Sequence, residues 1–210
     1  MNTTSERSKD WIDGFLFVSN LPILDLLNTR PVLEGIPTEL LTDARALERW
    51  LIASKIMSST KEKATLREWR SSSQLSAFLK ELLPFREKLR EAVLQIESGK
   101  MPSEAFIADV NRLLQRYPRH TSLQKRDGKL VRETSDVLRT PSDLWAPIAH
   151  ATADLLAETE SSRLRQCEAC VIHFFDTSKK GSRRWCSMNL CGNKLKVAAY
   201  QRRKRATDNS

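Results

Sequence analysis

The sequence predicts an α+β chain: a mainly helical N-terminal domain with a small β-hairpin, followed by a small C-terminal module built on four cysteines. Three observations carry this. Every cysteine lies in two close pairs, Cys167-x2-Cys170 and Cys186-x4-Cys191, fifteen residues apart. Apolar residues recur at helical spacing through most of residues 43–161. Only residues 120–134 change period, around Asp127-Gly128, a two-residue hairpin signal.

Length and charge narrow the classes. At 210 residues the chain allows one or two domains with a real core. No apolar run reaches the roughly 18 residues of a membrane span. Met1–Asp10 is polar and lacks the apolar stretch of a secretory signal. The expected location is therefore the cytoplasm, where paired cysteines more often hold metal than form disulfides. The net charge of +9 is unevenly spread. Residues 1–162 carry 23 Lys+Arg and 23 Asp+Glu, whereas residues 163–206 carry 12 Lys+Arg against Glu168 and Asp176. A neutral body joined to a basic head fits an anion-binding partner.

In chain order, residues 1–13 read as a disordered polar tail. Phe15 to Val18 is apolar, Pro22 breaks any helix there, and Leu24 to Thr29 is a strand or a helical turn. Pro31 to Pro37 reads as a loop containing Gly35. Asp43 caps a helix reaching about Ser54, with Leu47, Trp50, Leu51 and Ser54 on one face. A polar helix follows from about Ser59 to Arg70. The next, from about Ser73 to Glu97, buries Leu75, Phe78, Leu79, Leu82, Leu89, Val93 and Ile96. Pro84 should kink or divide it. Another helix starts near Pro102 and reaches Arg116, with Phe106, Val110, Leu113 and Leu114 as its stripe. After the 120–134 hairpin, a helix runs from about Ser142 to Ser161. Residues 158–165 then lose apolar character and bridge into the cysteine module.

The cysteine spacing suits a tetrahedral zinc site, in which each short pair presents two thiolates. Val171–Phe175 and Arg184–Cys186 are expected to form a hairpin across a turn at Asp176–Arg183. A helix from Ser187–Asn189 to about Arg205 would carry Cys191 in its first turn. A knuckle, a hairpin and a ligand-bearing helix make a treble-clef-like four-cysteine zinc finger, with a zinc ribbon as the alternative. About 40 residues rarely fold alone, and structural zinc supplies roughly 10–16 kcal/mol in small fingers. Four protein ligands leave no position for a catalytic water. A redox Cys-x2-Cys lacks the surrounding βαβ pattern. His173 is a minor candidate ligand, and His120 and His150 read as ordinary surface or core residues. No Ser/His/Asp set, paired carboxylates or glycine-rich phosphate loop is present, so no enzyme is expected.

The run Cys167-x2-Cys170, His173-Phe-Phe-Asp-Thr-Ser178, Arg183-Arg-Trp-Cys-Ser-Met188 and Cys191-Gly-Asn-Lys194 resembles the CGNR zinc finger of bacterial proteins. Leu24-Asp-Leu-Leu-Asn-Thr-Arg30, Glu39-Leu-Leu41 and Leu47-x-x-Trp50-Leu51 are similar to the start of the ABATE domain that precedes such fingers. The resemblance implies an ABATE-like regulatory domain over residues 14–162, a finger over 163–205, a tail over 206–210, and a role in stress-induced transcription regulation. The family signature ends in arginine. Lys194 stands there in this chain, which keeps the charge without the planar fork.

On the last helix, Cys191, Leu195, Ala198 and Ala199 would face the metal core. Asn193, Lys196, Tyr200, Arg203 and Lys204 would face outward, where amide and cationic side chains can read a major groove. Lys179, Lys180, Arg183 and Arg184 on the turn are expected phosphate contacts. Lys194, Arg202 and Arg205 add to the basic surface. The expected partner is double-stranded DNA, with RNA or a protein as the alternative. A homodimer would pair half-sites. Asp25, Asn28, Thr29 and Arg30 are candidates for a small-molecule effector pocket or an interdomain contact, unless Asp25 and Asn28 only cap local turns.

Overall fold

The computed structural model describes residues 9–193 and Val197. The chain forms two compact units. One joins the stretch up to Leu40 with the stretch from Glu160 onward, and the other spans Leu41–Thr159.

The first unit is built from short hairpins. β1 (Trp11–Ile12) pairs with β2 (Phe15–Leu16), and β3 (Val32–Leu33) pairs with β4 (Ile36–Pro37), both antiparallel. Each turn needs two consecutive residues at positive φ. Asp13 and Gly14 sit at 51° and 85°, and Glu34 and Gly35 at 51° and 84°. That is the geometry of a two-residue primed turn, whose twist matches the strands it joins. The expected disordered tail is thus ordered from residue 9 through 13; residues 1–8 lie outside the described residues. The expected loop at 31–37 is a hairpin. Between them, α1 (Pro22–Leu27) begins on a proline whose missing N–H costs nothing at a helix start.

Later in the same unit, β7 (Leu164–Gln166) pairs antiparallel with β8 (His173–Phe175). The expected pairing of Val171–Phe175 with Arg184–Cys186 does not form. The strand partner lies before Cys167, so the knuckle is itself the hairpin loop. Arg165 and Gln166 are exposed, which hid this strand within an apparently polar bridge. A π-helical turn, Met188–Gly192, follows, and Asn193 and Val197 are helical. Residues 194–196 and 198–210, and with them most of the expected last helix and the tail, lie outside the described residues.

The second unit is helical. α2 (Ala44–Ala53) is capped by Asp43, whose Oδ1 accepts from the Ala46 N–H at 2.8 Å. α3 (Thr60–Trp69) opens with a capping box between Ser59 and Glu62. α4 (Ser73–Glu97) runs through Pro84 undivided. Pro84 is exposed, so the carbonyl it deprives of a donor faces water. α5 spans Glu104–Arg116, and α6 (Trp145–Ala157) follows a 3-10 turn at Pro141–Leu144. The expected last helix of this unit therefore ends four residues early. Ile96, Leu113 and Leu114 are only half-buried, whereas Phe85, Ala92 and Arg86 join the core of α4. β5 (His120–Arg126) and β6 (Lys129–Ser135) form the expected hairpin around Asp127-Gly128.

Trp145 is the aromatic centre of this unit. Its ring meets Phe78 at 5.1 Å and Phe85 at 5.0 Å, both edge-on, and Phe85 meets Phe106 at 5.7 Å. Edge-to-face packing at these distances adds to the burial energy. Trp145→Ala would empty the junction of α4, α5 and α6. It is expected to cost about 3–5 kcal/mol, read as a lower denaturant midpoint.

Candidate metal centre

The four cysteines converge from two elements. The knuckle closes when the Cys167 N–H donates to the Ile172 carbonyl at 2.9 Å, which turns Cys167 and Cys170 to one side. Cys186 precedes the π-turn and Cys191 lies on it, with its N–H on the Ser187 carbonyl at 3.1 Å. All four sulfurs fall within 4.8 Å of one another. A zinc–sulfur bond of about 2.3 Å in a regular tetrahedron separates sulfurs by about 3.8 Å. Cys170–Cys186 and Cys186–Cys191 are 3.7 Å apart, and Cys191–Cys170 is 3.6 Å.

Close packing drives the acidities of the four thiols apart. Hydrogen bonds from Cys170 and Cys186 hold Cys167 down. Its proximity pushes Cys170 up to about 12 and raises Cys186. Burial and the Cys167 charge raise Cys191. One thiolate is enough to keep protons on its neighbours, so four thiolates share this volume only around a cation. His173 is buried on β8 and is not part of the sulfur cluster.

The chain's N-terminal residues complete the wall of the centre. Leu16, Val18, Cys167, Ile172, Phe174 and Cys186 form one buried cluster, with Trp11, Trp185 and Leu190 packed against it. The Ser187 hydroxyl donates to Asp10 at 2.6 Å. The free edge of β8 is closed by the N-terminal segment. Phe175 donates to the Ser19 carbonyl at 2.8 Å, and Asn20 donates to the Phe175 carbonyl at 2.9 Å. Asn28 imitates a strand partner: its Nδ2 donates to the His173 carbonyl at 2.9 Å, and its Oδ1 accepts from the His173 N–H at 3.0 Å.

This geometry assigns the polar cluster at 25–30. Asp25, Asn28 and Thr29 are buried, at 6%, 1% and 1% exposure. Asp25 Oδ1 accepts from the Val18 and Ser19 N–H groups at 3.2 and 3.1 Å. Thr29 donates to the Leu26 carbonyl at 2.7 Å. These bonds all lie within the fold, and Arg30 is exposed.

The expected phosphate contacts divide. Lys179, Lys180 and Asn193 are exposed. Arg183 is turned inward: it donates to the Trp185 carbonyl at 2.8 Å and to the Cys186 carbonyl, and its guanidinium lies 4.6 Å over Phe174. Arg184 grips the Glu168 carboxylate with two nitrogens, at 2.8 and 2.5 Å. Lys194, Lys196, Tyr200, Arg202, Arg203, Lys204 and Arg205 lie outside the described residues. Two structural residues escaped the sequence reading. Asp176 is fully buried and accepts from Ser178 and Arg183 N–H groups at 2.8 and 2.7 Å. Burial would raise its carboxyl, but these bonds outweigh that and hold it below the usual range. At Gly192 a Cβ would stand 2.6 Å from the Met188 sulfur and 3.1 Å from the Trp185 ring. The thioether can swing away, and the ring would have to give by a few tenths of an ångström, so packing there favours glycine.

Two family models match the chain. One, ABATE, described as "Putative stress-induced transcription regulator", covers residues 20–159. The other, the CGNR zinc finger, covers residues 163–204. The chain belongs to the ABATE family. Its C-terminal module is a CGNR zinc finger, and the four cysteines are the ligands of one structural zinc. No curated protein matches it. The ABATE match starts within the first compact unit and takes in the whole second one, so family boundaries and compactness divide the chain differently. No helix among the described residues is long and apolar enough to cross a membrane.

Two outcomes follow from the clasp and the buried carboxylate. Asn28→Ala removes a hydrogen bond from each backbone group of His173, at about 1–3 kcal/mol each. Zinc should be lost to a chelator sooner than from the wild type. Burial pushes Asp25 up to about 6 from 3.8, against its hydrogen bonds. The folded state then holds its proton more tightly than the unfolded one. Its contribution is full below about pH 4 and is lost as pH rises through about 6. Asp25→Asn keeps an acceptor and removes that loss. The stability of the variant minus that of the wild type should climb between pH 4 and 6.5, by about 3 kcal/mol at most.

Proposed function

We propose that the protein is a zinc-dependent, DNA-binding transcriptional regulator whose C-terminal finger contacts duplex DNA through its basic helix. The observation that carries this is the charge partition: 12 Lys+Arg against two acids in residues 163–206, after 162 residues with no net charge. Phosphate contacts set most of the affinity of such a surface and make it salt-dependent. Membership of a family described by transcription regulation supports the same reading. In it, residues 14–162 act as a sensor or dimerisation body and residues 163–205 as the head. Zinc shapes the head and takes no part in chemistry, since four cysteines fill its coordination.

Selection of random duplex DNA on the zinc-loaded protein, repeated after metal removal, tests this directly. A recurrent motif that disappears without zinc is the expected result. Replacing Lys194, Lys196, Arg202 and Arg203 together should abolish retention while zinc content stays unchanged. Unaltered affinity in that variant sinks the reading.

A further inference from the structure

Among the described residues, the β5–β6 hairpin has no evident structural duty. Its strands are seven residues each, about 23 Å of ribbon, and every residue is exposed except Glu133, which is half-buried. Leu123 and Leu130 are 69% and 73% exposed. A bare two-stranded ribbon is marginally stable in water, so a solvent-exposed arm of this length that bares two leucines points to a partner.

The register separates its two faces. Leu123 stands opposite Arg132, Lys125 opposite Leu130, and Thr121 opposite Thr134. Alternation puts these six side chains on one face, and none of them is acidic. The other face holds Glu133, which Arg126 engages at 2.9 Å. The first face therefore offers two cations, two hydroxyls and two leucines. Against a second copy it would oppose like charges. Against a polyanion it is complementary, and a two-stranded ribbon fits the major groove of duplex DNA. We propose that this face of the β5–β6 ribbon is a second DNA-contacting surface, with Lys125 and Arg132 on phosphates and Leu123 and Leu130 against the groove. This rests on the reading that the protein binds DNA, but not on the finger being the element that does so.

The test is DNA affinity against salt concentration, for the zinc-loaded full-length protein on a labelled duplex. Lys125→Ser/Arg132→Ser leaves the core untouched, because both side chains are exposed. It should weaken binding about tenfold and reduce the slope of log affinity against log salt by about 2. Unchanged affinity and slope, with the fourfold finger variant inactive, overturns the ribbon and leaves the finger reading intact. A weakened ribbon variant beside a fully active finger variant supports the ribbon and removes the finger reading. Failure of the wild type to hold DNA overturns both. A DNA-free dimer that Leu123→Ser/Leu130→Ser dissolves also overturns the proposal, since the face would then be a contact between copies.

Discussion

Four sulfur atoms within 4.8 Å are the constraint on which the first unit turns. Thiolates at that spacing repel, and thiols at that spacing leave small strands with little else to hold them. A dication resolves both, because it lowers every thiol together and binds the knuckle to the π-turn. The apolar cluster around it is modest, and two of its members, Cys167 and Cys186, are ligands themselves. Burial and metal coordination are thus one event in this unit rather than two additive terms.

The metal does not act on the finger alone. Leu16 and Val18 stand in the same cluster as the ligands, and the strand bearing Phe174 finds its outer partner in Ser19, Asn20 and Asn28. A three-residue strand with one bare edge is a poor scaffold. Closing that edge with an asparagine side chain satisfies two backbone groups without requiring another strand. Asp25 serves the same assembly from the other side by fixing the turn at Val18 and Ser19. A carboxylate in such a turn comes with a burial cost, which its raised pKa records. Residues 10–28 and 164–191 therefore meet around the four cysteines, and Leu41–Thr159 folds as the other unit.

Much of this was legible in the sequence. Helical periodicity located α2 to α6, and cysteine spacing located the zinc, because those signals are local. Asp127-Gly128 announced the long ribbon, yet the same pair at Asp13-Gly14 went unread beside a polar tail. Glu34-Gly35 was weaker still, since glutamate is not a usual residue at positive φ. The partners of β8 were not legible at all. Leu164–Gln166 carries two exposed polar residues, and the Asn28 clasp spans 145 positions, a pairing that no local pattern encodes. The cluster at 25–30 left an effector pocket, an interdomain contact and local caps open for the same reason: polar residues among leucines fit all three, and only tertiary partners such as His173 for Asn28 separate them.

Basic composition also overstates what the finger can offer a partner. The finger's arginines among the described residues are engaged within the fold. Arg163 donates to the Asp176 and Ser178 carbonyls at 3.0 and 2.9 Å, and Arg165 to the Gly181 carbonyl at 3.0 Å. Arg183 holds the Trp185 and Cys186 carbonyls, and Arg184 holds Glu168. Lys179 and Lys180, between them in sequence, are exposed. The division follows from side-chain chemistry: a planar fork satisfies several loop carbonyls at once, whereas an ammonium is strongly hydrated and stays in water. These arginines still contribute to the long-range field that draws a polyanion in. Their hydrogen-bonding capacity, however, already serves the loops around the zinc, so close contacts fall to the lysines and to residues beyond the π-turn. The sign of the charge was readable from composition; how much of it remains available depends on the carbonyls of a loop that has no regular structure to satisfy them.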